Sequence, residues 1–451
     1  MGGCCSCGRW TYGEPGMNYR DEEEEDMEEE FYDAGDAEDC GRLVEGGVRV
    51  RLEGSCGFAS MHTQQGRKGV NQDAMTLWES LVDFFAKSSS TCMQGFAGEK
   101  DTIYCGVFDG HGPLGHRVAR HVRDVLPGKL SSEYKSLHTS TNEADDDGGD
   151  RGRETQGNGD THPGFHPWQA SFCKAYKEMD EELDHRAPID CICSGTTAVS
   201  IVKQKDHLII ANLGDSRAVL CTRDDANQPV PLQLTVDLKP NLPGEAKRIT
   251  SCQGRVFAME EEPDVHRLWL PDENSPGLAM ARAFGDFCLK EFGLISTPEV
   301  TYRKLTEKDE FVVLATDGVW DVLSNKDVVR IVSSARKRSH AAKRLVDRAV
   351  RAWQEKHPTS KVDDCAAICL FLNAAPSPEE APTAATLSSG KASPELIVAE
   401  SFKTARTGSA SDSFRSTNAD EGAGQEWTAL DGVSRSNSLT NFPRFAGLLE
   451  E

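Results

Sequence analysis

The stretch IYCGVFDGHG, Ile103 to Gly112, decides how the rest of the chain is read. Its first six residues are apolar or small and β-prone, the pattern of a buried strand. The run then ends on Asp109, and Gly110, His111 and Gly112 follow. A turn has use for the glycines and for the aspartate. It has none for an imidazole two positions from that carboxylate. The same ending recurs where FVVLAT (311–316) runs into Asp317-Gly318. Further acids stand at strand edges: Asp73 in VNQDA, and the Asp363-Asp364 pair before AAICLFL (366–372).

Two buried strands thus each deliver a carboxylate at their tips. If these strands neighbour one another in the same direction, the tips meet, and like charges in a partly dry site stay ionised only with a cation between them. Hard dications such as Mg²⁺ or Mn²⁺ take oxygen ligands, and a glycine lets a backbone carbonyl approach too. The competing reading is that Asp-Gly pairs end strands because they make turns, and that a loop histidine serves the surface or a structural hydrogen bond. Several such acids set against buried strands, with His111 placed where a proton donor reaches a leaving oxygen, favour metal-assisted hydrolysis of a phosphate ester.

The bulk numbers narrow the setting. The 451 residues carry a formal net charge of −23, which argues against nucleic acid as a partner, since tracking phosphates needs clustered Lys and Arg. Much of the charge is local: residues 1–45 hold 15 Asp/Glu against 3 Lys/Arg, a balance of −12. The 15 cysteines show no repeating framework and no secretory leader accompanies them, so mostly free thiols in a reducing compartment are expected.

Three regions emerge. Residues 1–50 combine MGGCCSCG with the acidic tract DEEEEDMEEE (21–30) and are expected to be disordered. Residues 51–373 read as the folded domain, with further buried strands at TTAVSIV (196–202) and HLIIANL (207–213). Helical spacing links Phe172, Ala175, Tyr176, Met179 and Leu183, and again Leu345, Val346, Ala349, Val350 and Trp353. Ser324 and Asp327 are spaced as a capping box. Helices cluster between runs of strands, which favours a layered α+β fold over a doubly wound sheet. Residues 131–165, polar and glycine-rich, read as a surface insertion, and 374–451 as a disordered tail.

The ordered segments GRKGVNQDA (66–74), GVFDGHG (106–112), SGTTAV (194–199), ANLGDSRAVL (211–220), LTVDLKP (234–240), PGLAMARAFGDF (276–287), VVLATDGVWDVLS (312–324) and VDDCAAI (362–368) together resemble the metal-dependent serine/threonine protein phosphatases of type 2C, in particular the plant-type members. The resemblance implies a four-layer α-β-β-α sandwich of two antiparallel sheets flanked by helices. It also implies a centre of two Mg²⁺ or Mn²⁺ ions that hydrolyses phosphoserine and phosphothreonine in proteins. Carried over by position, Asp73, Asp109, the carbonyl of Gly110, Asp317 and Asp363 hold the metals, and His111 is the general acid. Asp321 and Asp286 match positions linked to a third, weaker metal, with turn or cap chemistry as the alternative. Asp215 and Asp237 read as turn residues.

The sequence departs from the family pattern in places. Lys68 stands where a phosphate-contacting arginine is usual, and offers a point charge rather than a fork. Gln72, Leu238 and Asp364 replace the usual Glu, His and Asn, and an acid before SGTTAV is missing in register, with Asp190 slightly upstream. These departures keep a catalytically weak or inactive phosphoprotein-binding scaffold as the alternative function, with a two-metal phosphodiesterase less favoured.

MGGCCS fits the N-myristoylation pattern at Gly2. One such chain binds membrane only marginally, and the acidic tract would be repelled by anionic lipid, so Cys4 and Cys5 are candidate palmitoylation sites. A zinc site at Cys4, Cys5 and Cys7 lacks a well-spaced partner, and plain disorder without lipid stays open. The expectation is a monomer at the cytoplasmic face of the plasma membrane and in the cytoplasm, with the nucleus open.

Overall fold

The computed structural model describes residues 42–44, 48–80, 95–99, 101–144, 165–260, 262–373 and 439–440, all within the compact unit Asp39–Glu451. The acylation motif and the acidic tract lie outside them.

The first sheet contains β1 (Arg42–Val44), β2 (Val48–Arg51), β5 (Asp73–Ser80), β6 (Thr102–His111), β8 (Ala198–Gln204), β9 (His207–Leu213) and β16 (Glu299–Lys304), in that spatial order. Two short strands, β7 (Gly195–Thr196) and β15 (Phe284–Gly285), extend it beside the end of β6. The second sheet runs β11 (Pro229–Gln233), β10 (Arg217–Arg223), β17 (Asp309–Ala315), β18 (Cys365–Phe371), β4 (Ala59–Gln64) and β3 (Gly54–Cys56). Every strand pair in both is antiparallel.

Side chains alternate across each strand with period two, and that alternation separates the layers. Leu77, Cys105, Val107, Val199, Ile201 and Ile210 of the first sheet meet Met61, Leu220, Val312, Leu314, Ile368 and Leu370 of the second in one dry core. Their neighbours point outward. Tyr104 and Phe108 pack under α1 (Gly115–Ala144) and α2 (Phe165–His185). Val313, Ala315, Cys369 and Phe371 pack under α6 (Asn325–Ser333) and α7 (Ala341–Lys356). The four-layer α-β-β-α order follows from those clusters. A hairpin of β12 (Arg255–Met259) and β13 (Glu262–Trp269) forms a separate small sheet with β14 (Gly277–Leu278), beside α3 (Pro243–Ser251).

The expected helices are present. Phe172, Ala175, Tyr176, Met179 and Leu183 are the buried stripe of α2. Ser324 and Asp327 form a reciprocal capping box at the start of α6. Two boundaries differ from the sequence reading. Residues 131–144 are the continuation of α1 rather than insertion, because the stripe Val118, Val122, Leu126, Leu130 and Tyr134 is buried along it. Within the tail, β19 (Leu439–Thr440) pairs with β14, so that piece is a strand.

Trp353 of α7 is 1% exposed, and its Nε1–H donates to the carbonyl of Gly318 at 2.7 Å. It therefore ties the outer helix to the segment that follows β17. Trp353→Ala should cost about 3–5 kcal/mol of stability, read as a lower urea midpoint at an unchanged m-value.

Candidate active site

The sheets gather the carboxylates by antiparallel pairing rather than by parallel neighbours, which corrects the expectation of strands running together. In an antiparallel pair the end of one strand lies beside the start of the next. Asp73, the first residue of β5, is in register with Asp109 near the end of β6. In the other sheet Asp317 directly follows the end of β17 as the first residue of the short helix α5 (Asp317–Trp320), while Asp363 and Asp364 directly precede the antiparallel β18. One pair thus comes from each sheet, at the same end of the sandwich.

Hydrogen bonds across the sheets bring the two pairs together, from Thr316 Oγ1 to Asp73 and from the Gln72 N–H to Asp364, and the carboxylates bear on one another's ionisation. Burial pushes Asp109 well above the usual carboxylate range, and the charges of Asp317, Asp73 and Asp363 push it further. Burial likewise raises Asp73, joined by Asp364, Asp363 and Asp317, while a hydrogen bond from Thr316 Oγ1 at 2.8 Å opposes them. Asp363 is raised to about 6 by burial, held back by Lys68. Burial alone would depress the Lys68 ammonium, but Asp363, Asp317 and Asp109 reverse that and raise it. Its Nζ lies 2.5 Å from Asp363 Oδ2.

Backbone groups complete the surroundings. Asp364 accepts the N–H groups of Gly66 (2.7 Å) and Gln72 (2.9 Å), and so fastens the loop carrying Lys68 to the start of β18. A Cβ on Gly110 would lie 2.4 Å from the Gly115 carbonyl oxygen and 2.7 Å from that of Gln72. Only glycine fits this crossing. Gln72 Nε2 donates to the Gly112 carbonyl at 3.0 Å.

His111 is 4% exposed and its Nε2 contacts Asp286 Oδ2 at 2.5 Å. Asp286 is fully buried, sits in the left-handed region at φ 51°, and follows Gly285 of β15. Among the described residues, His111 Nδ1 and Asp286 Oδ1 have no hydrogen-bond partner. Gly195 packs between the two: a Cβ there would stand 2.2 Å from Asp286 Oδ2 and 2.7 Å from His111 Nε2. By sequence Asp286 matches a third-metal position, and its place beside His111 is a contact that the motif does not reveal. Gly195 carries no expected role in the sequence, where the Ser-Gly-Thr-Thr run is its one signal. Asp321 caps α5, its N–H donating to the Asp317 carbonyl at 2.8 Å. Asp215 pairs with Lys239, and Asp237 takes a two-point clamp from Arg217 at 2.9 and 2.6 Å.

Among the described residues no group of three or more His, Cys, Asp or Glu side chains is set around a point as a metal's ligands would be. Asp363 and Asp73 face Lys68 and Thr316 instead. What the cluster has is proximity and donor chemistry: buried, mutually repelling carboxylates beside a glycine crossing. All-oxygen donors of this kind fit a hard dication.

A sandwich that gathers buried carboxylates, a lysine and a carboxylate-held histidine at one end has the groups a phosphate-ester hydrolase requires. The sequence of residues 73–357 matches the family model for protein phosphatase 2C. The match begins at Asp73 and stops short of the Asp363-Asp364 pair. The chain is 54% identical over 401 residues to a probable protein phosphatase 2C 73 of Oryza sativa subsp. japonica, covering 86% of this chain and 88% of that protein. It is 48% identical over 450 residues to a probable protein phosphatase 2C 33 of Arabidopsis thaliana, covering 88% of each. In fold it is similar to the serine-threonine phosphatase 2C of Toxoplasma gondii, with TM-score 0.58 and 24% identity over 72% of this chain and 98% of that one. The chain belongs to the protein phosphatase 2C family, whose members are metal-dependent, and it is a protein phosphatase.

The Gly195 packing gives a direct check on the His111 pair. Gly195→Ala should lower phosphopeptide turnover at least about tenfold, since small misplacements of reacting groups are costly. The expected companion result is a far-UV circular dichroism spectrum like the parent's.

Proposed function

We propose that the chain hydrolyses phosphoserine and phosphothreonine in proteins, with Asp73, Asp109, the Gly110 carbonyl, Asp317 and Asp363 holding two Mg²⁺ or Mn²⁺ ions. The observation that carries this reading is the meeting of two carboxylate pairs, one from each sheet, at one end of the sandwich. When bound, such ions supply Lewis acidity and acidify water at neutral pH. Lys68, held at the cluster by Asp363, provides the positive charge for the phosphoryl oxygens. His111 serves as the general acid for the leaving seryl or threonyl oxygen. Asp286 fixes the ring through Nε2, which leaves Nδ1 as the nitrogen that donates. Asp321 and Asp286 remain candidates for a third, weaker ion.

Activity assays separate these roles. Asp317→Ala and Asp109→Ala should abolish Mn²⁺-stimulated hydrolysis of p-nitrophenyl phosphate, and removal of metal by a chelator should do the same to the parent. His111→Ala should hurt a phosphoserine peptide far more than the aryl ester, whose leaving group hardly needs a proton. Equal losses on both substrates would overturn the acid role. No turnover by the parent with either ion would favour a phosphoprotein-binding scaffold.

The N-terminal motif supports a second element of the reading: myristoylation at Gly2 with palmitoylation at Cys4 and Cys5, which together anchor a monomeric enzyme to the cytoplasmic face of the plasma membrane. Gly2→Ala should move the protein from the membrane to the soluble fraction, and unchanged partitioning would dispose of the anchor.

A further inference from the structure

Two segments hold the His111–Asp286 pair, and they are laced together by backbone hydrogen bonds. Asp286 donates to the Ser194 carbonyl (3.0 Å), Phe287 to Cys191 (3.2 Å) and Cys288 to Ile192 (3.1 Å). Within that lacing Cys193 Sγ and Cys288 Sγ face each other at 3.4 Å, 95 residues apart in sequence. Both cysteines are partly exposed and neither is bonded to another. Most of the other described cysteines differ in setting: Cys105, Cys191, Cys221, Cys365 and Cys369 are buried, and Cys173 and Cys252 are exposed. A disulfide needs an S–S distance of about 2.05 Å, so the sulfurs stand within about 1.4 Å of bonding, a gap that side-chain rotation and a small shift of either segment can close.

We infer that Cys193 and Cys288 are a reversible oxidation site, closing to a disulfide under a hydroperoxide and thereby shifting the segments that hold His111. The step balances: a hydroperoxide oxidises one thiolate to a sulfenic acid, releasing water or alcohol. The second thiolate then attacks that sulfur, forming the S–S bond and expelling the oxygen as water. A dithiol reverses it.

The consequence for catalysis follows from position. Cys193 precedes Ser194 and Gly195, whose backbone abuts Gly112 and Asp286. Cys288 follows Asp286 by two residues. Drawing the sulfurs together strains the 2.5 Å contact on which the ring's orientation depends. This part rests on the proposed role of His111, whereas the disulfide itself does not.

The test uses the full-length reduced protein treated with hydrogen peroxide, followed by differential alkylation and peptide mass spectrometry. The expected result is a Cys193–Cys288 linked peptide that dithiothreitol removes, with phosphopeptide turnover falling about tenfold or more and recovering on reduction. Cys193→Ser and Cys288→Ser should each lose both the link and the peroxide sensitivity. Alkylation of both residues after peroxide treatment that oxidises other thiols would overturn the site. A link that forms with turnover unchanged would overturn the coupling to His111. If the reduced protein has no phosphatase activity, the functional reading fails while the mass measurement still decides the disulfide.

Discussion

Placing carboxylates together out of water is the constraint on which this structure turns. Asp73, Asp109 and Asp363 are each raised by burial and by their neighbours, so ionisation at neutral pH works against the folded arrangement. A fold tolerates such a cluster only where stiffer elements hold it. Here the stiffness comes from the dry core between the sheets, whose strands β5, β6, β17 and β18 end or begin at the cluster. The strands cannot separate to relieve the repulsion without exposing that core.

The second tier of restraint is made of small groups rather than large ones. Gly110, Gly112 and Gly195 sit where a Cβ would strike backbone or the reacting side chains themselves. Asp364 takes two backbone N–H groups and keeps the Lys68 loop against β18. Thr316 hydroxyl donates to Asp73 in one sheet while accepting the Ala366 N–H in the other. That one hydroxyl therefore couples the carboxylate pairs across the sandwich.

How much of this was legible in sequence depended on the range of the signal. Buried strands announce themselves locally, and HLIIANL coincides with β9 while AAICLFL lies within one residue of β18. The acids at strand edges were equally plain. Pairing direction is not local, and nothing in GVFDGHG says that VNQDA lies beside it antiparallel. Helix α1 was hidden because Pro127 reads as a helix breaker and the residues after Leu130 are mostly polar, so the buried stripe fades where the helix continues. The His111–Asp286 contact joins residues 175 apart, a separation no motif spacing encodes.

Sequence separation also shapes what binding at this site does to the protein. The cluster draws on residues 73, 109, 317 and 363, which are far apart in the unfolded chain, so the site exists only in the folded state. Any cation held there binds the native state and not the unfolded one, and stabilises it by mass action. The same carboxylates that oppose folding when crowded together become a source of stability once their charge is balanced. Lys68 supplies part of that balance from within the chain, through its ion pair with Asp363. Its single charge leaves most of the cluster's negative charge uncompensated, and Asp73 and Asp109, raised first by burial, are raised further by the carboxylates around them.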